Sequence, residues 1–306
     1  MCSLGSMPKV QLVCEGAATV RKTTLLRQLL ARNQILIAPG AYDVLSSMAA
    51  AASGFEAVYM TGSGASTSLT GLPDIGLTTL SEMVTRAGHM AEAVPVPLIS
   101  DADTGYGNAL NVIRTVREFE RAGVAGIHLE DQIAPKRCGH VQGKQVVSIE
   151  EGVGKIRAAV AARTDPDFVI VVRVDSRAVN GFEDAVVRGR AYREAGADVV
   201  FPEALESRDE FANYARKVDG PLFANMTEFG KSPYLSAQEL EGMGYRIVIF
   251  PVTSMRVALK AMLEFYAELK RMGTQTGYLD RMATRQELYE LIDYAKWRAY
   301  EKEFVG

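Results

Sequence analysis

Cysteine and histidine are scarce in this chain, with three of each in 306 residues. Cys2, Cys14 and Cys138 are too few and too unevenly spaced for a disulfide framework or a thiolate metal site, so Cys138 reads as a free thiol. His89, His128 and His140 have no ligand spacing to one another, which argues against zinc. No apolar run reaches membrane-spanning length, and the mixed opening stretch lacks the hydrophobic core of a signal peptide, so a cytoplasmic protein with no membrane partner is expected. A surplus of one charge is missing too. With a net charge of −3 and basic residues scattered among acidic ones, nothing suggests a nucleic-acid partner.

What the chain does have is alternation. Short β-branched runs alternate with longer amphipathic stretches from Ile35 onward, the pattern of βα units around a parallel sheet. The runs are 35–38, 57–60, 98–101, 126–130, 168–173, 198–201, 222–225 and 246–250, most of them near-continuously apolar, as strands covered on both faces should be. A doubly wound sheet would also alternate. However, Pro39-Gly40-Ala41-Tyr42 does not resemble its Gly-rich first turn, and eight is the barrel number; a (β/α)8 TIM-type barrel is expected. Helices are expected over 110–122, 150–162, 183–195 and 207–218, several closed by Ala-Gly pairs. Residues 1–24 are read as a flexible segment and 25–306 as one barrel domain with extra C-terminal helices. The last helix, from Thr284 to about Lys302, carries Leu288, Leu291, Ile292, Ala295 and Trp297 on an apolar stripe. That stripe needs a surface, either its own barrel or a neighbouring subunit.

In such a barrel the C-terminal ends of the strands line the site. Those ends are polar almost throughout: Tyr59, Thr61, Gly62 and Ser63; Asp101 and Asp103; Glu130; Arg173 and Asp175; Glu203; Asn225 and Thr227. Asp101 and Asp103, with Glu130 from the adjacent strand, supply hard oxygen ligands for Mg²⁺ or Mn²⁺. Arg173, Arg137 and Lys136 are candidate clamps for a carboxylate. Taken alone, Arg256 and Arg285 read as solvated helix residues, His89 as a surface residue, and His128 as a satisfied structural histidine. The loop Glu130-Asp131-Gln132 to Lys136-Arg137-Cys138-Gly139-His140 holds too many ionisable groups to be explained by packing.

These motifs resemble a known superfamily. Asp101-Ala102-Asp103-Thr104-Gly105-Tyr106-Gly107, Glu130-Asp131-Gln132, Lys136-Arg137-Cys138-Gly139-His140, Phe201-Pro202-Glu203-Ala204 and Asn225-Met226-Thr227-Glu228-Phe229-Gly230 are similar to those of isocitrate lyases and phosphoenolpyruvate mutases. The similarity runs from Ile35 to Phe304 and includes Leu72-Pro73-Asp74. It implies a Mg²⁺-dependent lyase, usually a homotetramer in which the helix after strand eight is exchanged between subunits. It also implies substrate contacts at Thr61, Gly62, Ser63, Cys138, Gly139, Arg173, Glu203, Asn225 and Thr227. Arg256 and Arg285 join that set, reversing the reading of both as solvated residues. Two departures stand out: Thr61-Gly62-Ser63 where the family has Ser-Gly-Gly, and Arg173-Val174-Asp175-Ser176 where it has Arg-Thr-Asp-Ala.

The implied reaction is retro-aldol cleavage of 2-methylisocitrate, a small tricarboxylate, to pyruvate and succinate. It needs a base for the hydroxyl, a counter-charge and an acid for the carbanion. Tyr59 is read as the base. Cys138 is the acid, Glu130 stands at the metal, Lys136 lies near the substrate carboxylates, and His140 orients the loop, which is expected to close over substrate. A lyase for 2,3-dimethylmalate or another substituted malate, or an oxaloacetate-cleaving enzyme, would share these parts. Cys138 argues against a phosphonate mutase.

Overall fold

The computed structural model describes residues 20–137, 139 and 143–306. Eight parallel strands form the core: β1 Leu36–Ala41, β2 Val58–Met60, β3 Leu98–Asp101, β4 Gly126–Glu130, β5 Val169–Val174, β6 Val199–Pro202, β7 Phe223–Asn225 and β8 Ile247–Phe250. Their order around the sheet is 6-5-4-3-2-1-8-7, and a single parallel bridge between Val200 and Leu222 joins β6 to β7 and closes the ring. The expected barrel is therefore present, and each expected strand overlaps an observed one. Every residue of β3, β4 and β5 is buried, because helices cover the outside of the ring and side chains fill the inside.

The inner core includes Ile99, Val169, Val171, Phe201, Phe223, Ile247 and Ile249. Leu26, Leu29 and Leu30 of the helix Lys22–Ala31 belong to the same cluster and seal the N-terminal end of the barrel. That helix was not expected, and it begins inside the segment read as flexible. Its leucines fall at a three-and-four spacing that makes one apolar face, and burying each stabilises the fold by about 1.5–3 kcal/mol. Polar ties hold the same helix from outside: Lys22 Nζ donates to the Val94 carbonyl at 2.6 Å, Thr23 to Asp165 at 2.7 Å and Arg27 to Asp198 at 2.8 Å.

The outer helices Ala109–Arg121, Ile149–Ala162, Phe182–Glu194 and Arg208–Lys217 lie where the periodicity put them. Two end at the predicted Ala-Gly pairs, where Gly123 at φ +80° and Gly196 at φ +105° adopt a backbone that glycine reaches without strain. The C-terminal segment differs more. The helix Thr253–Met272 has no buried residue along its 20 positions. The expected final helix is two, Arg285–Leu291 and Tyr294–Phe304, broken where Asp293 takes φ +50°. Its apolar stripe is mostly uncovered by its own barrel: Leu291 is half-buried, but Leu288, Ile292 and Trp297 are exposed, Trp297 by 65%. No helix among the described residues is long and apolar enough to cross a membrane.

Candidate active site

The Asp-x-Asp turn is built by the backbone. Asp101 ends β3, and the chain then turns through positive φ at Asp103, Gly105, Tyr106 and Gly107. Asp101 Oδ1 accepts from the Asp103 amide at 2.9 Å, and the Asp103 carbonyl accepts from the Glu130 amide at 2.9 Å, tying the turn to the end of β4. Gly62 lies directly across: a Cβ there would stand 2.3 Å from Asp101 Oδ2, so only a bare Cα lets that carboxylate occupy its place.

Around these acids stand buried cations. Arg173 of β5 lies 3.1 Å from Glu130 and binds Asp175 through two contacts of 3.0 and 3.1 Å, with Glu203 at 3.9 Å. Lys136 Nζ pairs with Asp103 at 2.8 Å and also with Asp74. Lys144 bonds Asp175 at 2.8 Å and the Gly139 carbonyl. Gly139 itself packs against the rim, where a Cβ would come within 2.1 Å of Glu203 and 2.6 Å of Arg173. Asn225 donates to Glu203 at 3.3 Å. Behind the rim, Asp131 accepts from Arg188, from Tyr192 and from the Asp175 amide, which fixes the turn after β5.

The electrostatics are unbalanced. Asp74, Asp101, Asp103, Glu130, Asp175 and Glu203 gather around Lys136, Lys144 and Arg173, so among the described residues of the rim these carboxylates outnumber those cations. Burial drives Glu130 well above the usual carboxylate range, with Asp175 and Asp101 adding to it against Arg173 and Lys136. Burial, helped by Asp101 and Asp74, pushes Asp103 up to about 6 against Lys136. Asp101 goes the other way: burial works to raise it, but His128, Lys136 and Arg173 together hold it low. Burial alone would lower Lys136, yet Asp103, Glu130, Asp101 and Asp74 raise it well above the lysine range.

A divalent cation fits this rim. The donors are carboxylate oxygens, Glu130 Oε1 is buried without a hydrogen-bond partner, and the surplus negative charge calls for a counter-ion. The ligands do not form a ready shell: Asp101 turns to His128, Asp103 to Lys136 and Glu130 to Arg173, and among the described residues no three such groups converge on one point. Mg²⁺ takes few protein carboxylates and keeps several waters, so a partial set suits it.

Other expected residues are distributed unevenly. Thr61 is buried at the start of the helix Gly62–Thr70, its hydroxyl accepting from the Gly64 amide at 3.3 Å, and Ser63 follows in the first turn. Thr227 follows β7 on the same rim. Arg256 is engaged by Glu228 at 3.0 Å and lies over the Phe229 ring. Arg285 is exposed at the first turn of its helix and makes no ion pair among the described residues. Cys138 and His140 lie outside the described residues. Tyr59, read as the base, has its ring in the inner core and its hydroxyl 2.7 Å from His128; burial, with Asp101 and Glu203, raises the phenol well above its normal range. Asp74 and Lys144 were not picked out as site residues from sequence; nothing in their local pattern marks them, although Asp74 lay in a quoted motif.

Comparison with known proteins places this geometry. The sequence profile of phosphoenolpyruvate phosphomutase matches residues 26–270. A 2,3-dimethylmalate lyase of Eubacterium barkeri is 48% identical over 280 residues, 92% of this chain and 97% of that one. A 2-methylisocitrate lyase of Aeropyrum pernix is 50% identical over 283 residues, 92% and 91% of the two chains. Among solved structures, oxaloacetate acetylhydrolase with the inhibitor 3,3-difluorooxalacetate superposes with a TM-score of 0.89 at 38% identity, over 93% of this chain and 97% of that one. Phosphonopyruvate hydrolase in complex with oxalate and Mg²⁺ gives 0.86 at 32% identity, over 94% and 100%. By profile, by identity across nearly its whole length and by fold, this chain belongs to the phosphoenolpyruvate phosphomutase family, within the PEP mutase/isocitrate lyase superfamily.

Proposed function

We propose that the protein is a Mg²⁺-dependent carbon–carbon lyase that cleaves 2-methylisocitrate to pyruvate and succinate. The observation that carries this reading is the rim itself, where Asp101, Asp103 and Glu130 surround buried Lys136 and Arg173 with negative charge in excess. Such a rim repels a tricarboxylate unless a cation is added, and the surplus is suited to one divalent ion. Mg²⁺, held by Asp101, Asp103 and Glu130, would offset that charge and act as a Lewis acid toward the hydroxyl-bearing half of the substrate.

The chain's own residues do the rest. Arg173, the Asn225 amide and Thr227 bind and orient substrate carboxylates, and Lys136 keeps a positive charge within the acidic cluster. When the bond between the hydroxyl-bearing carbon and its neighbour breaks, its electron pair passes to the succinate half, while the hydroxyl gives its proton to a carboxylate of the rim and its oxygen becomes the keto oxygen of pyruvate. Cys138 donates a proton to that carbanion. Gly139, packed against Glu203 and Arg173, excludes water from that side of the rim. Arg256 and Arg285 complete the carboxylate contacts in an assembly, a homotetramer in which the uncovered face of the C-terminal helices packs on a neighbouring subunit.

The 2,3-dimethylmalate lyase relative, similar over 97% of its own length, favours a second substrate reading within the same chemistry. Incubation with Mg²⁺ and 2-methylisocitrate, 2,3-dimethylmalate, isocitrate or oxaloacetate, with keto-acid release followed, separates the readings. Fastest release from 2-methylisocitrate is expected. Faster release from 2,3-dimethylmalate would favour the second reading, and no keto acid from any would sink the lyase assignment. Near wild-type turnover by Cys138→Ser would remove Cys138 from the mechanism.

A further inference from the structure

His128 is completely buried in β4, inside the barrel and beneath the rim. Its Nε2 faces two oxygens, Tyr59 Oη at 2.7 Å and Asp101 Oδ1 at 3.3 Å. A carboxylate can only accept, which assigns the hydrogen to Nε2, with Tyr59 Oη sharing it as a second acceptor. The ring cannot turn away from this arrangement: Tyr59 stacks on it at 5.8 Å and Phe201 meets it edge-on at 5.7 Å. Asp101 is thus held on both oxygens, Oδ1 by His128 and the Asp103 amide, Oδ2 against the bare Cα of Gly62.

We infer that His128 and Tyr59 form a positioning pair that sets the orientation of Asp101 for a divalent cation. Neither is a catalytic residue, and Tyr59 is not the base for the substrate hydroxyl. Partners of this kind fix ligand geometry, and their loss typically weakens metal affinity ~10–100-fold. The inference rests on the divalent-metal part of the proposed function, so its test reads metal binding without substrate.

Mn²⁺ uptake, followed as loss of the free-ion electron paramagnetic resonance signal, is measured for wild type, His128→Leu, His128→Gln and Tyr59→Phe. Wild type binds, and His128→Leu binds ~10–100-fold more weakly. His128→Gln, whose amide N–H can stand near the Nε2 position, recovers most of the loss. Tyr59→Phe, which keeps the stacked ring and removes only a competing acceptor, leaves uptake within about a few-fold of wild type and turns over near the wild-type rate once Mn²⁺ is saturating. Equal uptake by wild type and His128→Leu would overturn the assignment alone; no uptake by wild type would overturn the metal reading and this assignment with it. A Tyr59→Phe protein with unchanged Mn²⁺ affinity and a ~10²–10⁴-fold fall in kcat at saturating metal would restore Tyr59 as the base. If His128→Leu does not fold, His128→Phe, which keeps a ring between Tyr59 and Phe201 but donates nothing to Asp101, takes its place with the same uptake readout.

Discussion

Arg173 and Asp175 stand two residues apart at the end of β5, joined by one hydrogen bond from Nη2 to Oδ1 at 3.1 Å and an ion-pair approach of Nε to Oδ2 at 3.0 Å. Alternation along a strand puts both side chains on one side, so the guanidinium and the carboxylate meet as a buried ion pair. Lys144, its own side chain almost wholly buried, adds a third contact to Asp175 from the loop that also carries Gly139.

Lys144→Met should therefore destabilise the fold. Removing one partner of a buried pair costs about 3–5 kcal/mol, and because Arg173 still holds Asp175, a loss of about 3 kcal/mol is expected in urea unfolding. An unchanged midpoint would show that Lys144 contributes no net stability.

Gly139→Ala tests how closely the loop must approach. A methyl group would stand 2.1 Å from Glu203 Oε1, so the backbone has to retreat. A displacement of about 1 Å near reacting groups costs roughly 10²-fold, and kcat/KM should fall by that order while the melting temperature stays close to wild type.

At the opposite end of the barrel, Leu26→Ala should cost about 2–5 kcal/mol, the range for a buried leucine whose cavity does not refill. Activity per folded molecule should be unchanged, because the leucine is on the barrel floor and the chemistry at the mouth. Calorimetry together with an active-site titration checks both halves.

Metal and proton compete at the rim. Asp103 is pushed up to about 6, above its usual 3.8. An acid raised in the fold stabilises the protein fully below its unfolded value, and that contribution is lost as pH rises through the folded value. The metal-free protein should therefore lose stability between about pH 4 and pH 6 from this group. Since Mg²⁺ requires the ionised carboxylate, the thermal shift it produces should grow over the same window and be larger at about pH 7.5 than at about pH 5. A shift independent of pH would contradict proton displacement.

The barrel was legible because each strand is a short apolar run between turn signals, and strand-end acids such as Asp101, Asp103 and Glu130 are exposed by that reading alone. What escaped depends on contacts between distant positions. Asp74 and Lys136 meet across 62 positions, and no local pattern records it. Tyr59 and His128 likewise meet across 69 positions, and nothing local to β2 announces that contact. The break at Asp293 came without a glycine or proline to announce it, since aspartate tolerates the left-handed backbone. The first helix, Lys22–Ala31, precedes the first β-branched run, so the strand–helix alternation that marks the later elements does not announce it.

The ring is not stitched evenly. Neighbours such as β4 and β5 pair over five residues, whereas β6 and β7 share the single Val200–Leu222 bridge and one amide bond from Val200 to the Pro221 carbonyl at 3.1 Å. That seam runs directly below Glu203 and Asn225, which stand at the ends of these two strands and touch across it. Thermal breathing of the cylinder concentrates where it is least sewn, so the gap between these two side chains is the mouth's natural expansion joint.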